Sequence, residues 1–381
     1  MEVLLMRFLQ TADWHLGRKL HGFDLQAEQQ AAFEQIEQIA LTEKVDGIIL
    51  AGDIYDRSLP AEQTVDLANQ MLQRLNLTDH LPLYAIAGNH DSASRLATGT
   101  PWFSSTGFYL HTQLAEAFRP IELPDVQLFL LPYFEPFAAQ QYFKDDSLQH
   151  LDQAMAAVIK KMKQQFAPNK KHLLVGHFFA AGSTQTASET QLTVGGLAAV
   201  PTDLLADFDY VALGHLHNRN ALQAEKIRYS GSLLKFSLSE VQQKKGVLLL
   251  DTDTLQPEFR EIKPLHDLHE LTTEFTELLD PKFYRQQPRA DFFGITLTDQ
   301  KPIPNVLARL REIYPKIVAL QRTADYGTLF DDQQQSQQFL QRDPLLILQD
   351  FYQQVANEEL SRSQLSWAKK ALQTVREESK A

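Results

Sequence analysis

Five short apolar runs along the chain each lead straight into a polar cluster. Arg7-Phe8-Leu9 precedes Asp13-Trp14-His15, Gly47-Ile48-Ile49-Leu50-Ala51 precedes Gly52-Asp53, and Leu83-Tyr84-Ala85-Ile86-Ala87 precedes Gly88-Asn89-His90-Asp91. His172-Leu173-Leu174-Val175 precedes Gly176-His177, and Tyr210-Val211-Ala212-Leu213 precedes Gly214-His215-Leu216-His217. Short continuous apolar runs bounded by turn residues read as buried strands. Helical spacing predicts helices over about Gln26 to Glu43, Pro60 to Leu75 and Leu148 to Gln165. Strands alternating with helices predict an α/β layered fold, in which ligands sit beyond the carboxyl ends of strands. The five clusters can therefore converge on one place. Glycines at the turns (Gly52, Gly88, Gly176, Gly214) let the next side chain point into that place.

Residues Arg228 to Asp253 predict more sheet, with a turn at Tyr229-Ser230-Gly231-Ser232 and a strand at Gly246-Val247-Leu248-Leu249-Leu250. After about Pro257 the character changes: Pro264, Pro281, Pro288, Pro302, Pro304 and Pro315 follow, without His-rich clusters. A small α+β domain is expected over 257–326. The polar run Asp331-Asp332-Gln333-Gln334-Gln335-Ser336-Gln337-Gln338 marks a linker, 327–342. Two helices are expected in 343–381. Asp343-Pro344 sets an N-cap before Pro at the first helical position, with Leu345, Leu348, Tyr352 and Val355 at helical spacing. Ser361 and Gln364 form a capping box, ahead of Leu365, Ala368, Leu372 and Val375. No internal repeat is present, and residues 1–256 form the remaining domain.

Composition narrows the chemistry. At 381 residues and 44% hydrophobic the chain can bury a large core. It has no cysteine, which excludes disulfides, thiolate metal sites and cysteine nucleophiles and fits a reducing compartment. The first residues turn polar too soon for a signal peptide, and Met6 is an alternative start. No apolar run approaches the roughly 18 residues a membrane helix needs. A soluble cytoplasmic protein is expected. The net charge of −12 argues against a protein that coats DNA. It leaves room for a nucleic-acid enzyme whose bound cations supply the positive charge.

The strand-end residues are Asp13, His15, Asp53, Asn89, His90, Asp91, His177, His215 and His217. Mixed oxygen and imidazole donors suit Mn, Fe or Zn better than Ca or Mg. They are too many for one ion, and two ions about 3.5–4 Å apart would share a carboxylate. Two divalent cations and two aspartates leave net positive charge that draws a phosphodiester in. They also acidify water, so that hydroxide can attack phosphorus in line near neutral pH.

These clusters resemble, in order, the motifs of the calcineurin-like metallophosphoesterases: D-x-H at Asp13-Trp14-His15, G-D-x-x-D at Gly52-Asp53-Ile54-Tyr55-Asp56, G-N-H-D at Gly88-Asn89-His90-Asp91, G-H at Gly176-His177 and G-H-x-H at Gly214-His215-Leu216-His217. The resemblance implies a layered β-sandwich flanked by helices. It implies that Asp13, His15 and His217 hold one metal, that Asn89, His177 and His215 hold the other, and that Asp53 bridges. His90 would face the scissile phosphate, stabilising the transition state or protonating the leaving oxygen. Asp91 would orient His90 and favour its charged form.

A finer resemblance is to the SbcD nuclease family. It is carried by Arg7-Phe8-Leu9-Gln10-Thr11-Ala12-Asp13-Trp14-His15-Leu16-Gly17, by Gly52 to Arg57, by Ala87 to Ser92 and by Tyr229 to Ser237. Gln10 stands where that family usually has His, and Leu233 where it has Pro. The resemblance is strong from Arg7 to Asp253. It implies two Mn2+ ions, exonuclease action on duplex DNA and endonuclease action on single strands or hairpins, in DNA repair, recombination and replication. It further implies a homodimer within a heterotetramer with an SbcC-type coiled-coil ATPase. The tail helices would bind that ATPase by a helix-in-groove contact, and 257–326 would cap the site and help hold DNA. Two other functions compete: a phosphomonoesterase or small-molecule phosphodiesterase of the same fold, and a non-catalytic adaptor between ATPase and DNA. The complete set of candidate ligands weighs against the adaptor.

Other polar residues carry blander readings. His21, His80, His111, His150, His266 and His269 are expected at the surface, and His172 within a strand. Trp14, Phe23 and Leu25 are assigned to packing. Asp56 divides evenly between serving the site and capping its turn, and Arg57 between a phosphate contact and a surface ion pair. Lys160, Lys161, Lys163, Lys170 and Lys171 are expected on a solvated helix face rather than a DNA track.

Overall fold

A computed structural model describes residues 5–189, 199–301, 303–323, 345–346, 348–349, 352 and 360–378. The chain opens with β1 (Arg7–Thr11), the short pair β2 (Lys19–Leu20) and β3 (Phe23–Asp24), helix α1 (Gln26–Thr42), β4 (Gly47–Ala51) and helix α2 (Glu62–Gln73). Next come β5 (Leu83–Ile86), the helical turns α3 (Ala93–Leu96) and α4 (Thr100–Phe103), β6 (Phe108–His111), β7 (Ile121–Glu122) and β8 (Val126–Leu130). Helices α5 (Pro136–Phe143) and α6 (Leu151–Lys163) precede β9 (Lys171–His177), β10 (Tyr210–Gly214), β11 (Ile227–Tyr229), β12 (Gly246–Asp251) and β13 (Glu258–Glu261).

The strands build a six-stranded sheet, β13-β12-β1-β4-β5-β6, and a five-stranded sheet, β11-β10-β9-β8-β7. β1, β4, β5 and β6 run parallel, as do β8, β9, β10 and β11. Parallel strands are covered on both faces, which is why these runs are apolar throughout. Alternate residues serve different layers. Phe8, Ile49, Ala51 and Ile86 meet Leu128, Leu130, Val175 and Ala212 between the sheets. Leu9, Ile48 and Leu50 face Phe33 and Ile36 of α1 and Leu67 and Met71 of α2. On the far side Phe129, Leu174 and Val211 face Met155, Val158 and Met162 of α6. The result is the expected α/β sandwich, helices outside and two sheets within. Each fully buried Ile, Leu or Phe contributes roughly 1.5–3 kcal/mol.

The predicted helices stand within a few residues of their expected bounds. The second ends in a wider π-helical turn, Arg74–Thr78, which buries Leu75 and Asn76. The chain divides into two compact units. One comprises Met1–Leu271, Gln287–Gly294 and Arg311–Ala319; the other comprises Thr272–Gln286, Ile295–Leu310 and Leu320–Ala381. Strands Leu268–Thr273, Phe292–Leu297 and Lys316–Arg322 form a three-stranded sheet in that order. In the second unit Asp280 caps the turn Pro281–Tyr284 by accepting from the Lys282 amide at 2.8 Å. The expected linker 327–342, and Asp343, Pro344 and Val355 of the first tail helix, lie outside the described residues. The second tail helix is Arg362–Glu378. Both halves of its capping box form: Ser361 N donates to Gln364 Oε1 at 2.9 Å, and Gln364 N to Ser361 Oγ at 3.4 Å. Among the described residues no helix is long and apolar enough to cross a membrane.

Candidate metal centre

The carboxyl ends of β1, β4 and β5 lie side by side in one sheet, and those of β9 and β10 in the other. The loops leaving β1 and β4 are laced together: Asp13 N donates to Gly52 O and His15 N to Asp53 O, both at 3.0 Å. To point inward from these turns, Asp13 (φ +53°), His15 (φ +44°), Asp53 (φ +53°) and His215 (φ +93°) all adopt left-handed backbone. Such a conformation costs a non-glycine residue of order 1–3 kcal/mol and clusters at functional sites. Gly88 permits a close approach, since a methyl there would collide with the Asp53 carboxylate and amide.

Side chains from all five clusters meet. His15 Nε2 lies 3.1 Å from His217 Nε2 and 3.6 Å from Asp53 Oδ2. His177 Nε2 lies 3.2 Å from Asp53 Oδ2 and 2.9 Å from Asn89 Oδ1, and His215 Nδ1 lies 3.0 Å from the same Asn89 oxygen. The Asp13 carboxylate accepts the His215 amide at 3.0 and 3.1 Å. Donor atoms of Asp13, His15 and His217 fall within 4.8 Å of one another, as do those of Asp13, Asp53 and His177. Ligands each about 2.1 Å from one cation sit roughly 3 Å apart, so this spacing fits a coordination shell. His177 Nδ1 faces Ala51 O at 2.8 Å. A carbonyl only accepts, so that nitrogen carries a proton and Nε2 faces the site.

His90 and Asp91 sit at the same mouth. The His90 amide donates to Asp53 Oδ1 at 2.9 Å, and its ring Nδ1 faces Asp56 O at 2.8 Å. Asp91 accepts from the amides of Gly88 (2.9 Å), Ile54 (3.1 Å) and Tyr55 (2.9 Å), and so ties the loop after β5 to the loop after β4.

Electrostatics follow from burial. Burial pushes the Asp13 carboxyl up to about 7, with His177 opposing and Asp53 adding to the shift. Burial pulls His177 down, but Asp53 and Asp13 overcome it and raise the ring to about 9. Burial also presses Asp53 upward, yet His177, His15 and His90 hold it well below the carboxylate range. Burial lowers His215 to about 3, and lowers His15 and His217 as well. Asp91 rises to about 6 through burial and Asp53, against its three amides. In the metal-free protein the proton on His177 thus sits where a cation would neutralise the carboxylates. Among the described residues His15 Nδ1 is buried without a hydrogen-bond partner, 3.6 Å from Asp56 Oδ1. The neutral imidazoles of His15, His215 and His217, ionised Asp53 and converging lone pairs are a donor set that fits divalent cations.

Residues 6–219 match the family model of calcineurin-like phosphoesterases. Residues 259–356 match the type 5 capsule protein repressor C-terminal domain. Over 363 residues the sequence is 34% identical to the SbcD subunit of nuclease SbcCD from Staphylococcus epidermidis, covering 94% of this chain and 96% of that one. The chain belongs to the SbcD family of nuclease subunits. The SbcD subunit of nuclease SbcCD from Staphylococcus saprophyticus is 31% identical over 376 residues, covering 98% of this chain and 99% of its own. The likeness therefore extends well past Asp253. As a member of the SbcD family with a calcineurin-like domain, the chain is a metal-dependent nuclease.

Other features of this SbcD-family chain were less visible in its sequence. Asp56 adjoins the candidate site: its carbonyl faces His90 Nδ1 at 2.8 Å, and its carboxylate lies 3.5 Å from Arg18 Nη1. Arg57 is 85% exposed and 3.7 Å from Asp56. Trp14 is core, with its indole N–H donated to Thr11 Oγ1 at 3.0 Å. His111 departs from the surface expectation: it is part-buried, with Nδ1 3.1 Å from Leu130 O. The five lysines do not form one helix face, because Lys171 begins β9 and donates to the carbonyls of Thr252 and Asp253. Sequence reasoning missed Ser188, Glu189, Glu240 and Lys245, which surround His217. The segment Tyr229 to Ser237 was the nearest signal, since Ser232 accepts from Lys245 at 2.9 Å.

Proposed function

We propose that this centre hydrolyses DNA phosphodiesters with two divalent cations, one held by Asp13, His15 and His217, the other by Asn89, His177 and His215, with Asp53 shared. One observation carries the reading: a single Asp53 oxygen faces an imidazole of each group, at 3.2 Å from His177 and 3.6 Å from His15. When bound, the cations supply positive charge against the phosphate and acidify the attacking water. The chain's own residues do the rest. Asp53 stays ionised because His177, His15 and His90 surround it. Asp13 is fixed by the His215 amide. His90 is turned by the Asp56 carbonyl on Nδ1, so Nε2 is the ring atom that exchanges a proton with substrate as the leaving oxygen departs. Asp91 acts on His90 through the loop it braces, by accepting the amides of Gly88, Ile54 and Tyr55.

Manganese suits oxygen and imidazole donors without thiolates. The action is exonucleolytic on duplex DNA and endonucleolytic on single strands or hairpins, in repair, recombination and replication in the cytoplasm. With a net charge of −12, the chain relies on its cations and its assembly to attract DNA. That assembly is a homodimer joined to an SbcC-type coiled-coil ATPase. The tail helix, with Leu365, Ala368 and Leu372 on one stripe, docks on the ATPase.

The test compares linear duplex DNA with a small phosphate ester, in manganese, for the wild type, Asn89→Ala and His90→Ala. DNA cleavage is expected from the wild type, with a fall of about 100-fold or more in each variant. Turnover of the ester alone would favour the phosphomonoesterase reading. DNA cleavage surviving both substitutions would reject the two-cation mechanism.

A further inference from the structure

Behind His217 lie buried groups that the hydrolytic account does not use. His217 Nδ1 is 2.6 Å from Ser188 Oγ. Ser188 Oγ also contacts Glu240 Oε1, while Glu240 Oε2 takes the Lys245 ammonium at 2.6 Å. Glu240 is fully buried and Lys245 nearly so. Lys245 donates further to the His217 carbonyl at 2.8 Å and to Ser232 Oγ at 2.9 Å. Glu189 Oε1 accepts the His217 amide at 2.7 Å. Every polar atom of His217 except Nε2 is therefore held by this set.

Counting donors fixes the tautomer. A carboxylate beside an ammonium only accepts, so the Ser188 hydroxyl gives its one proton to Glu240. Its oxygen then accepts from His217 Nδ1, which must carry the ring proton. The lone pair is left on Nε2, 3.1 Å from His15 Nε2. A buried ion pair adds little net stability over apolar packing of the same volume, so stability alone does not account for it. We propose that Glu240 and Lys245, acting through Ser188, are positioning residues that aim His217 Nε2 at the cation position of Asp13 and His15. The proposal rests on the two-cation reading.

The test uses the full chain stripped of metal, titrated calorimetrically with Mn2+ alone, together with 15N NMR of the His217 ring before metal is added. The wild type is expected to bind two equivalents and show Nδ1–H on His217. Ser188→Ala should weaken one equivalent by about 10- to 100-fold, spare the other and mix the tautomers. Ser188→Thr should restore both readouts. Glu240→Leu combined with Lys245→Met removes both charges of the pair together, so neither is left buried without the other, and should reproduce Ser188→Ala. Equal weakening of both equivalents, unchanged Mn2+ binding, or a wild-type tautomer in Ser188→Ala would overturn the proposal. Fewer than two equivalents in the wild type would instead contradict the two-cation reading, and the NMR readout would still decide the role of Ser188.

Discussion

The two sheets bring different chemistry to the same place. Loops of the six-stranded sheet deliver Asp13, His15, Asp53 and Asn89, including both carboxylates; loops of the five-stranded sheet deliver only imidazoles, His177, His215 and His217. Each half also orients the other. The Asp13 carboxylate is gripped by the His215 amide, and His177 is turned by the Ala51 carbonyl. The centre therefore cannot assemble in either half alone, and its integrity reports on how well the sheets pack.

Removing the shared charge should break this arrangement most severely. Asp53→Asn takes the anion from the acidic half, so Mn2+ uptake should fall below two equivalents and DNA cleavage should drop more than about 100-fold, beyond what loss of a residue merely supporting a ligand costs. Wild-type cleavage with full Mn2+ uptake would show that the halves do not share Asp53. A packing change should act less directly. Ile49→Ala opens a cavity between the sheets and is expected to cost about 2–5 kcal/mol in chemical denaturation, with Mn2+ affinity falling alongside. Unchanged affinity at that loss of stability would sever the link between packing and site.

Protons sharpen the comparison further. In the metal-free protein Asp13 sits at about 7 and His177 at about 9, both above their ordinary values. A raised pKa means the folded protein holds protons the unfolded chain has released, so stability is lost as pH rises through the folded value. Below about 6.5 the buried neutral rings of His15, His215 and His217 act in the opposite direction. Between about 6.5 and 9 they no longer oppose. Denaturation in chelator should therefore show stability falling across that window, and Mn2+ binding should release protons and tighten with pH. Stability rising across the window, or no proton release, would contradict this. The smallest effect on cleavage is expected from the tail. Truncation after Asp343 should abolish association with the ATPase in a pull-down yet leave basal cleavage unchanged.

Much of this was legible in the residues alone. β4 and β10 are buried along their whole length, so they read as unbroken apolar runs, and the polar cluster after each marks where the site lies. The left-handed backbone at Asp13, His15, Asp53 and His215 was not legible, because no glycine marks it; the strain is borne by the loop-to-loop hydrogen bonds. Glu240 and Lys245 lie in the polar stretch Ser-Glu-Val-Gln-Gln-Lys-Lys, which has the composition of a solvated turn. Only the fold brings His217, from another segment, against them. Gln10, a departure from the SbcD pattern, is accommodated because its amide both donates to Arg228 O at 3.0 Å and accepts from Tyr210 Oη at 2.8 Å.

Anomalous diffraction at the manganese edge, from crystals of the full chain soaked in Mn2+, tests the central claim most directly. Two peaks about 3.5–4 Å apart are expected, one beside Asp13, His15 and His217, the other beside Asn89, His177 and His215, with Asp53 touching both. A single peak, or two peaks that do not share Asp53, would contradict it.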